Sequence, residues 1–308
     1  MSISTREAYG QALAQLMSDD DRVVVLDADL GDSTKTALAK KVCPDRYYDM
    51  GIAECNMVNV AAGFAASGYI PFVSSFAIFL AGRAWEQIRN GIAYSKLNVK
   101  ICATHAGISV GEDGATHQAI EDIALMRVIP NMEVYSPCDA HETMVVIKHI
   151  MNSQNPCYVR LGRNSVKDIY QEHDDIDVSK INILRHGKNI ALCATGSMVQ
   201  ESIKAANILE KNGIKATVVD ICCLKPLDEE GILRLLNEHE IIFTVEEHNV
   251  IGGLGAAIAE ISNEKCPRII NRLGMEDEFG KSGKAMELLA KYHLDAQGIA
   301  NHIKDMIL

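Results

Sequence analysis

From end to end, the chain alternates short β-branched, apolar runs with segments of helical periodicity, and this alternation constrains its fold more than any single motif. Arg22 to Asp27 (RVVVLD), Ile70 to Ser74, Val99 to Thr104, Met132 to Tyr135 and Pro156 to Arg160 read as strands. Residues 5–17, 53–67, 79–94 and 139–152 read as helices between or before them. Near-continuous apolar strands must be covered on both faces, which is the condition of a parallel sheet with helical crossovers. The stretch 166–182 is polar, acidic and aperiodic, and reads as a linker. The alternation then restarts, with strands at 190–194, 216–220, 241–245 and 268–271. Helices are expected at about 198–212, 228–237, 252–264, 282–291 and 295–306. The expected fold is α/β, with two domains (1–165 and 183–308) of mostly parallel sheets flanked by helices. A length of 308 residues is comfortable for two domains.

Hydrophobic residues make up 48% and charged residues 23%, enough to bury real cores. The formal net charge of −11 argues against a partner such as nucleic acid or an anionic membrane, because both require a basic field. No basic segment followed by an apolar stretch opens the chain, so no signal peptide is expected. No apolar run approaches the ~18 residues of a membrane span. Nine cysteines without C-x-x-C spacing fit reduced thiols and a cytoplasmic location. The adjacent Cys222 and Cys223 read as small core residues at a strand end.

In open α/β sheets, ligands gather beyond the carboxyl ends of the strands. Asp27 and Asp29 follow the first strand, Ser75 and Phe76 the second, His105 to His117 the third, and Arg163 the strand at 156–160. The richest of these segments is Gly107-Ile-Ser-Val-Gly-Glu-Asp-Gly-Ala-Thr-His-Gln118. Its glycines let backbone approach a ligand closely, while Glu112, Asp113 and His117 bring charge and a proton carrier. Individual residues also have plainer readings. Glu54 suits a helix first turn through the dipole, Asp29 suits a turn cap, and Phe76 and Phe79 suit an ordinary core. Arg6 suits a solvated surface and His117 a satisfied turn.

The ordered set Ser4-Thr-Arg-Glu7, Asp27-Ala-Asp-Leu30, Gly51-Ile-Ala-Glu-Cys-Asn-Met57, Ser75-Phe-Ala-Ile-Phe79, loop 107–118 and Gly274-Met-Glu-Asp-Glu-Phe-Gly-Lys-Ser-Gly283 resembles the transketolase family of thiamine-diphosphate enzymes. The match is to the C-terminal half, the pyrimidine-binding domain plus the C-terminal domain. The resemblance implies that Glu54 contacts a pyrimidine nitrogen of the cofactor and that Phe76 and Phe79 pack on its ring. The third aromatic that often follows is Gly82 here. Asp29 matches an acid of the cofactor cleft. Arg6, Ser33, His105 and Arg163 match groups that bind a sugar phosphate, Asp113 one that reads an acceptor hydroxyl, and His117 one near the reacting oxygen. The family's Gly-Asp-Gly motif, which holds the diphosphate through Mg2+ or Ca2+, does not occur in this sequence. No metal ligand is assigned to this chain. The implied protein is therefore a split transketolase, with an N-terminal partner subunit, a dimer of each and an α2β2 assembly.

The implied reaction moves a two-carbon ketol unit from a ketose phosphate to an aldose phosphate, with xylulose 5-phosphate and ribose 5-phosphate as expected sugars. Alternatives are a subunit of another thiamine enzyme, similar to deoxyxylulose-phosphate synthase or to a 2-oxo-acid dehydrogenase β subunit, and a non-catalytic regulatory subunit. The second domain receives no catalytic residue. Gly252-Gly-Leu-Gly255 and Glu246-Glu247-His248 are compatible with either packing or ligand binding.

Overall fold

A computed structural model describes residues 2–171 and 173–307. Its strands are β1 (Val23–Asp27), β2 (Tyr47–Asp49), β3 (Ile70–Phe76), β4 (Lys100–Thr104), β5 (Glu133–Tyr135), β6 (Cys157–Arg160), β7 (Asn182–Arg185), β8 (Ile190–Ala194), β9 (Ala216–Asp220), β10 (Cys223–Lys225), β11 (Ile241–Asn249) and β12 (Ile270–Met275). They form two sheets, ordered β10-β5-β6-β4-β3-β1-β2 and β12-β11-β8-β9-β7. All neighbours are parallel except β10 with β5 and β7 with β9. The α/β architecture with mostly parallel sheets is therefore as expected.

Side-chain alternation explains why both faces of the first sheet are covered. Val24 and Leu26 join one core, while Val23 and Val25 point into another. The first of these cores does not stop at the first sheet. Ala191, Cys193, Val219 and Ile242 of the second sheet belong to it as well. The helix Thr5–Asp19 starts where Ser4 Oγ accepts a hydrogen bond from the Glu7 N–H at 3.2 Å. It buries Ala8, Tyr9, Leu13 and Met17.

Three strands were not anticipated, each for a physical reason. β2 has a single buried residue, Tyr47, and so no apolar run to read. β7 is an edge strand with no fully buried position. β10 is three residues long and comes from the second half of the chain, yet it pairs with β5 of the first sheet. The last strand begins at Ile270 and runs to Met275 rather than covering 268–271. The helix expected over 79–94 is wound as two π-helical stretches, Ile78–Arg83 and Gln87–Tyr94, a distinction too fine for a hydrophobic pattern.

The described residues of 166–182 pack closely onto the body. Asp139 Oδ2 accepts from the Ile169 and Tyr170 N–H groups at 2.7 and 2.8 Å, and Tyr170 and Val178 are buried. All nine cysteines are free, and Cys222 and Cys223 are buried core residues as expected. Among the described residues, no helix is long and apolar enough to cross a membrane.

Candidate active site

The carboxyl ends of β1, β3 and β4 lie side by side in register, with Asp27 opposite Ser74 and Phe76 opposite Thr104. This edge gathers most of the residues singled out above. Phe76 ends β3, and Phe79 is the second residue of the π-helical stretch that follows. Their rings stack with centroids 5.9 Å apart and planes 13° apart. His105 lies flat against Phe76 at 3.8 Å. His117 meets Phe79 edge-on at 5.4 Å and Phe76 at 6.4 Å. Four rings thus form one cluster.

Glu54 is the first residue of the helix Glu54–Ala66 and is 1% exposed. A buried carboxylate needs a partner, and Arg83 Nη1 donates to its Oε2 at 2.8 Å. The Arg83 guanidinium also lies 4.8 Å from the centre of the Phe79 ring, a cation–π contact. Arg83 thereby ties the carboxylate to the aromatic pair. Sequence reasoning passed over it, although it stands four residues after Phe79 on the same helical stretch, the spacing at which side chains meet.

On the other side of Phe76 lies a chain of polar contacts. Arg6 donates from Nε to the Arg163 carbonyl at 3.1 Å and from Nη1 to the Ser33 carbonyl at 2.7 Å. Arg6 Nη1 also lies 3.3 Å from His105 Nε2. A guanidinium only donates, so Nε2 is the acceptor and the imidazole proton sits on Nδ1, where it faces Thr104 Oγ1 at 2.8 Å. Burial, and then the charges of Arg6 and Arg163, push the His105 pKa down to about 3. His105 is therefore a neutral hydrogen-bonding group at physiological pH. Burial and the Arg163 charge also lower the pKa of Arg6.

Arg163 donates to the Val110 carbonyl at 2.6 Å and pairs with Asp113 at 3.3 Å, which links the chain to loop 107–118. In that loop, the His117 N–H donates to the Gly114 carbonyl at 2.9 Å, and its Nδ1 lies 3.0 Å from Thr116 Oγ1. Asp29 stands apart from this cluster. It is exposed in a cleft of about 570 Å³ with Ser33, Lys40, Lys41 and Asp49, and its N–H donates to Asp49 Oδ1 at 3.2 Å. Asp29 and His105 both have left-handed backbone, with φ of 60° and 59°, an unfavourable conformation held by the surrounding structure.

The site thus consists of a buried carboxylate beside two parallel aromatic rings, next to paired arginines, a neutral imidazole and a second histidine. Such a set can grip a flat heterocycle on one side and an anionic, hydroxylated ligand on the other. The family description "transketolase, pyrimidine binding domain" matches residues 1–168, and "transketolase, C-terminal domain" matches residues 179–299. The chain belongs to the transketolase family, a family of transferase-type enzymes. Among its relatives, it is 47% identical to the putative transketolase C-terminal section of Methanocaldococcus jannaschii, over 97% of this chain and 95% of that protein. It is 39% identical to a 6-deoxy-6-sulfo-D-fructose transketolase subunit of a Clostridium species, over 96% and 91% of the two chains. A solved structure described as a split gene transketolase, inactive beta4 tetramer, superposes with a TM-score of 0.90 at 44% identity, over 99% of this chain and 98% of that one.

Proposed function

We propose that this chain is the C-terminal subunit of a two-polypeptide transketolase, which moves a two-carbon ketol unit from a ketose phosphate to an aldose phosphate. In this reading, residues 1–165 bind the pyrimidine half of thiamine diphosphate, residues 166–182 connect, and residues 183–308 form the C-terminal domain. The supporting observation is the buried Glu54 carboxylate beside the parallel Phe76 and Phe79 rings, joined through the 3.8 Å Phe76–His105 stack to the Arg6–Arg163–Asp113 contacts.

The donor set fits the aminopyrimidine end of the cofactor. Among the described residues, the one group of His, Cys, Asp and Glu spaced for a metal is Cys138, Glu142 and Asp220, which includes no residue of loop 107–118. The Gly-Asp-Gly motif that holds the diphosphate in the family is missing from this sequence, and this reading assigns the diphosphate and its Mg2+ or Ca2+ to an N-terminal partner subunit. Thiamine diphosphate, when bound, would supply the nucleophilic carbon that accepts the ketol unit.

The residues of this chain do the rest. Glu54 brings its buried carboxyl group against a pyrimidine nitrogen. Phe76 and Phe79 orient the ring by its faces and leave its hydrogen-bonding edge free. Asp29, in its separate cleft with Ser33, is given to the cofactor by the family resemblance alone. Arg6 and Arg163, with His105 and Ser33, receive the sugar phosphate, for which a planar guanidinium is suited. Asp113 accepts from an acceptor hydroxyl, and His117 moves a proton at the reacting oxygen. A relative described as an inactive tetramer of one subunit supports the view that this chain alone is incomplete. The expected assembly is two copies of each subunit in the cytoplasm, consistent with the nine free thiols.

The test begins with purification of the chain with its partner from native cells. Ketol transfer is then assayed with xylulose 5-phosphate, 6-deoxy-6-sulfo-D-fructose and pyruvate as donors and ribose 5-phosphate as acceptor. Glu54→Gln should lower turnover by about a hundredfold or more while the variant stays folded. Full activity in that variant would remove Glu54 from the mechanism, and a preference for pyruvate would overturn the transketolase reading.

A further inference from the structure

The sequence motif Glu246-Glu247-His248 lies in the second half of the chain, and the function proposed above makes no use of it. The three residues precede the last residue of a strand, β11, that is buried at every interior position. Each side chain reaches a different target. Glu246 accepts from the Leu254 and Gly255 N–H groups at 2.7 and 2.9 Å, and so caps the helix Leu254–Lys265. His248 Nε2 accepts from the Ala124 N–H at 3.4 Å. Glu247 alone reaches loop 107–118.

We propose that Glu247 is a positioning residue that fixes the conformation of loop 107–118 from the second sheet, and with it the placement of Asp113 and His117. Its Oε1 accepts from the Ser109 N–H, and its Oε2 accepts from Ser197 Oγ at 2.8 Å. Its own carbonyl accepts from Arg160 Nη2 at 2.8 Å. Glu247 is 3% exposed, and a carboxylate so buried is tolerated only where its oxygens are bonded.

The loop is shaped to receive it. Gly107 has φ of 83°, and a Cβ at that position would overlap the Glu247 carboxyl group. The carbonyl of the same Ser109 accepts from Asn164 Nδ2 at 2.7 Å. Residue 109 is thus held at its N–H by the second sheet and at its carbonyl by the first half of the chain. Farther along, Gly114 packs on Ser282, and Gln118 Nε2 donates to the Lys281 carbonyl at 2.9 Å. The second half of the chain thereby grips the loop at both ends and in the middle.

Amide hydrogen exchange on the full chain tests this without partner or substrate. Glu247→Ala should speed exchange at Ser109 and along 107–118 by about tenfold or more, because a buried charged hydrogen bond is lost. Exchange in β8 and β9 should stay as in the parent. Glu247→Gln should restore protection to within about threefold, since an amide can accept from Ser109 and donate to Ser197. Should Glu247→Ala fail to fold, Ser197→Ala removes one arm only and should still loosen the loop selectively.

Unchanged loop exchange, or an equal increase across the whole chain, would overturn the proposal. The consequence for catalysis rests on the transketolase reading. In the assembled enzyme, Glu247→Ala should lower kcat/KM by about tenfold or more, with Glu247→Gln restoring it. Selective loosening of the loop in Glu247→Ala, beside a wild-type enzyme that shows no ketol transfer, would sink that reading and leave the positioning role intact. An active wild type whose loop ignores the substitution would do the reverse.

Discussion

Glu142, on the helix Ala140–Asn152, and Asp220, the last residue of β9, come together in the interior. Glu142 Oε2 accepts from the Cys138 N–H at 2.7 Å, and Asp220 Oδ2 accepts from the Tyr170 hydroxyl at 2.8 Å. The remaining oxygens, Glu142 Oε1 and Asp220 Oδ1, are buried without a partner, and a proton held between them would satisfy both. Burial, and then the Asp220 charge, raise the Glu142 pKa well above that of an ordinary carboxyl. Burial also raises that of Asp220, to about 6. An acid whose pKa is raised on folding binds protons more tightly in the native state. Its contribution is therefore intact below the unfolded carboxyl pKa of about 4 and is lost as pH rises, by up to ~1.4 kcal/mol per pH unit for one proton. Glu142→Gln places a permanent donor toward Asp220. Urea unfolding at pH 5 and pH 8 should show a flatter pH dependence for the variant, with a gain of about 1–3 kcal/mol at pH 8. Parallel profiles for the two proteins would dispose of the shared proton. At this scale, the sequence was informative where chemistry was unusual for its setting. Arg6 stands in a helix first turn, where the dipole disfavours it, and the structure pairs it with the Ser33 and Arg163 carbonyls. Arg83 gave no such signal, because its partner Glu54 is 29 residues away.

Loop 107–118 is a set of backbone conformations as much as a set of side chains. Gly107, Gly111 and Gly114 have φ of 83°, 91° and 76°. Gly107→Ala combines left-handed strain with overlap on Glu247, and it should cost about 1–3 kcal/mol in urea unfolding. An alanine variant as stable as the parent would mean that the carboxyl can withdraw from the loop freely. The glycines and acids of this loop were visible in the sequence as a concentration too high for a simple turn. What the loop rests on was not visible, because Glu247, Ser282 and Lys281 come from segments far along the chain. The long apolar strands were equally legible, since β1, β3 and β4 are buried at every position. The edge strands β2, β7 and β10 were not, because pairing at an edge demands no particular side chains.

The whole molecule is more tightly joined than a linker at 166–182 suggests. Core residues from both sheets form one cluster, and β10 completes the first sheet after the chain has already built most of the second. Chemical unfolding followed by tryptophan fluorescence, which reports on Trp85 in the first half, should coincide with loss of the second-half thiols' protection in a single transition. Two separated transitions would show that the halves unfold independently. The antiparallel pairing of Cys223 with Tyr135 and of Lys225 with Val134 carries a further implication for anyone recombining such chains. A chimera that takes residues 183–308 from a relative also imports the outermost rung of its host's first sheet. The compatibility of such a graft is decided at a border three residues long, far from the cut, where a foreign strand must match the resident edge.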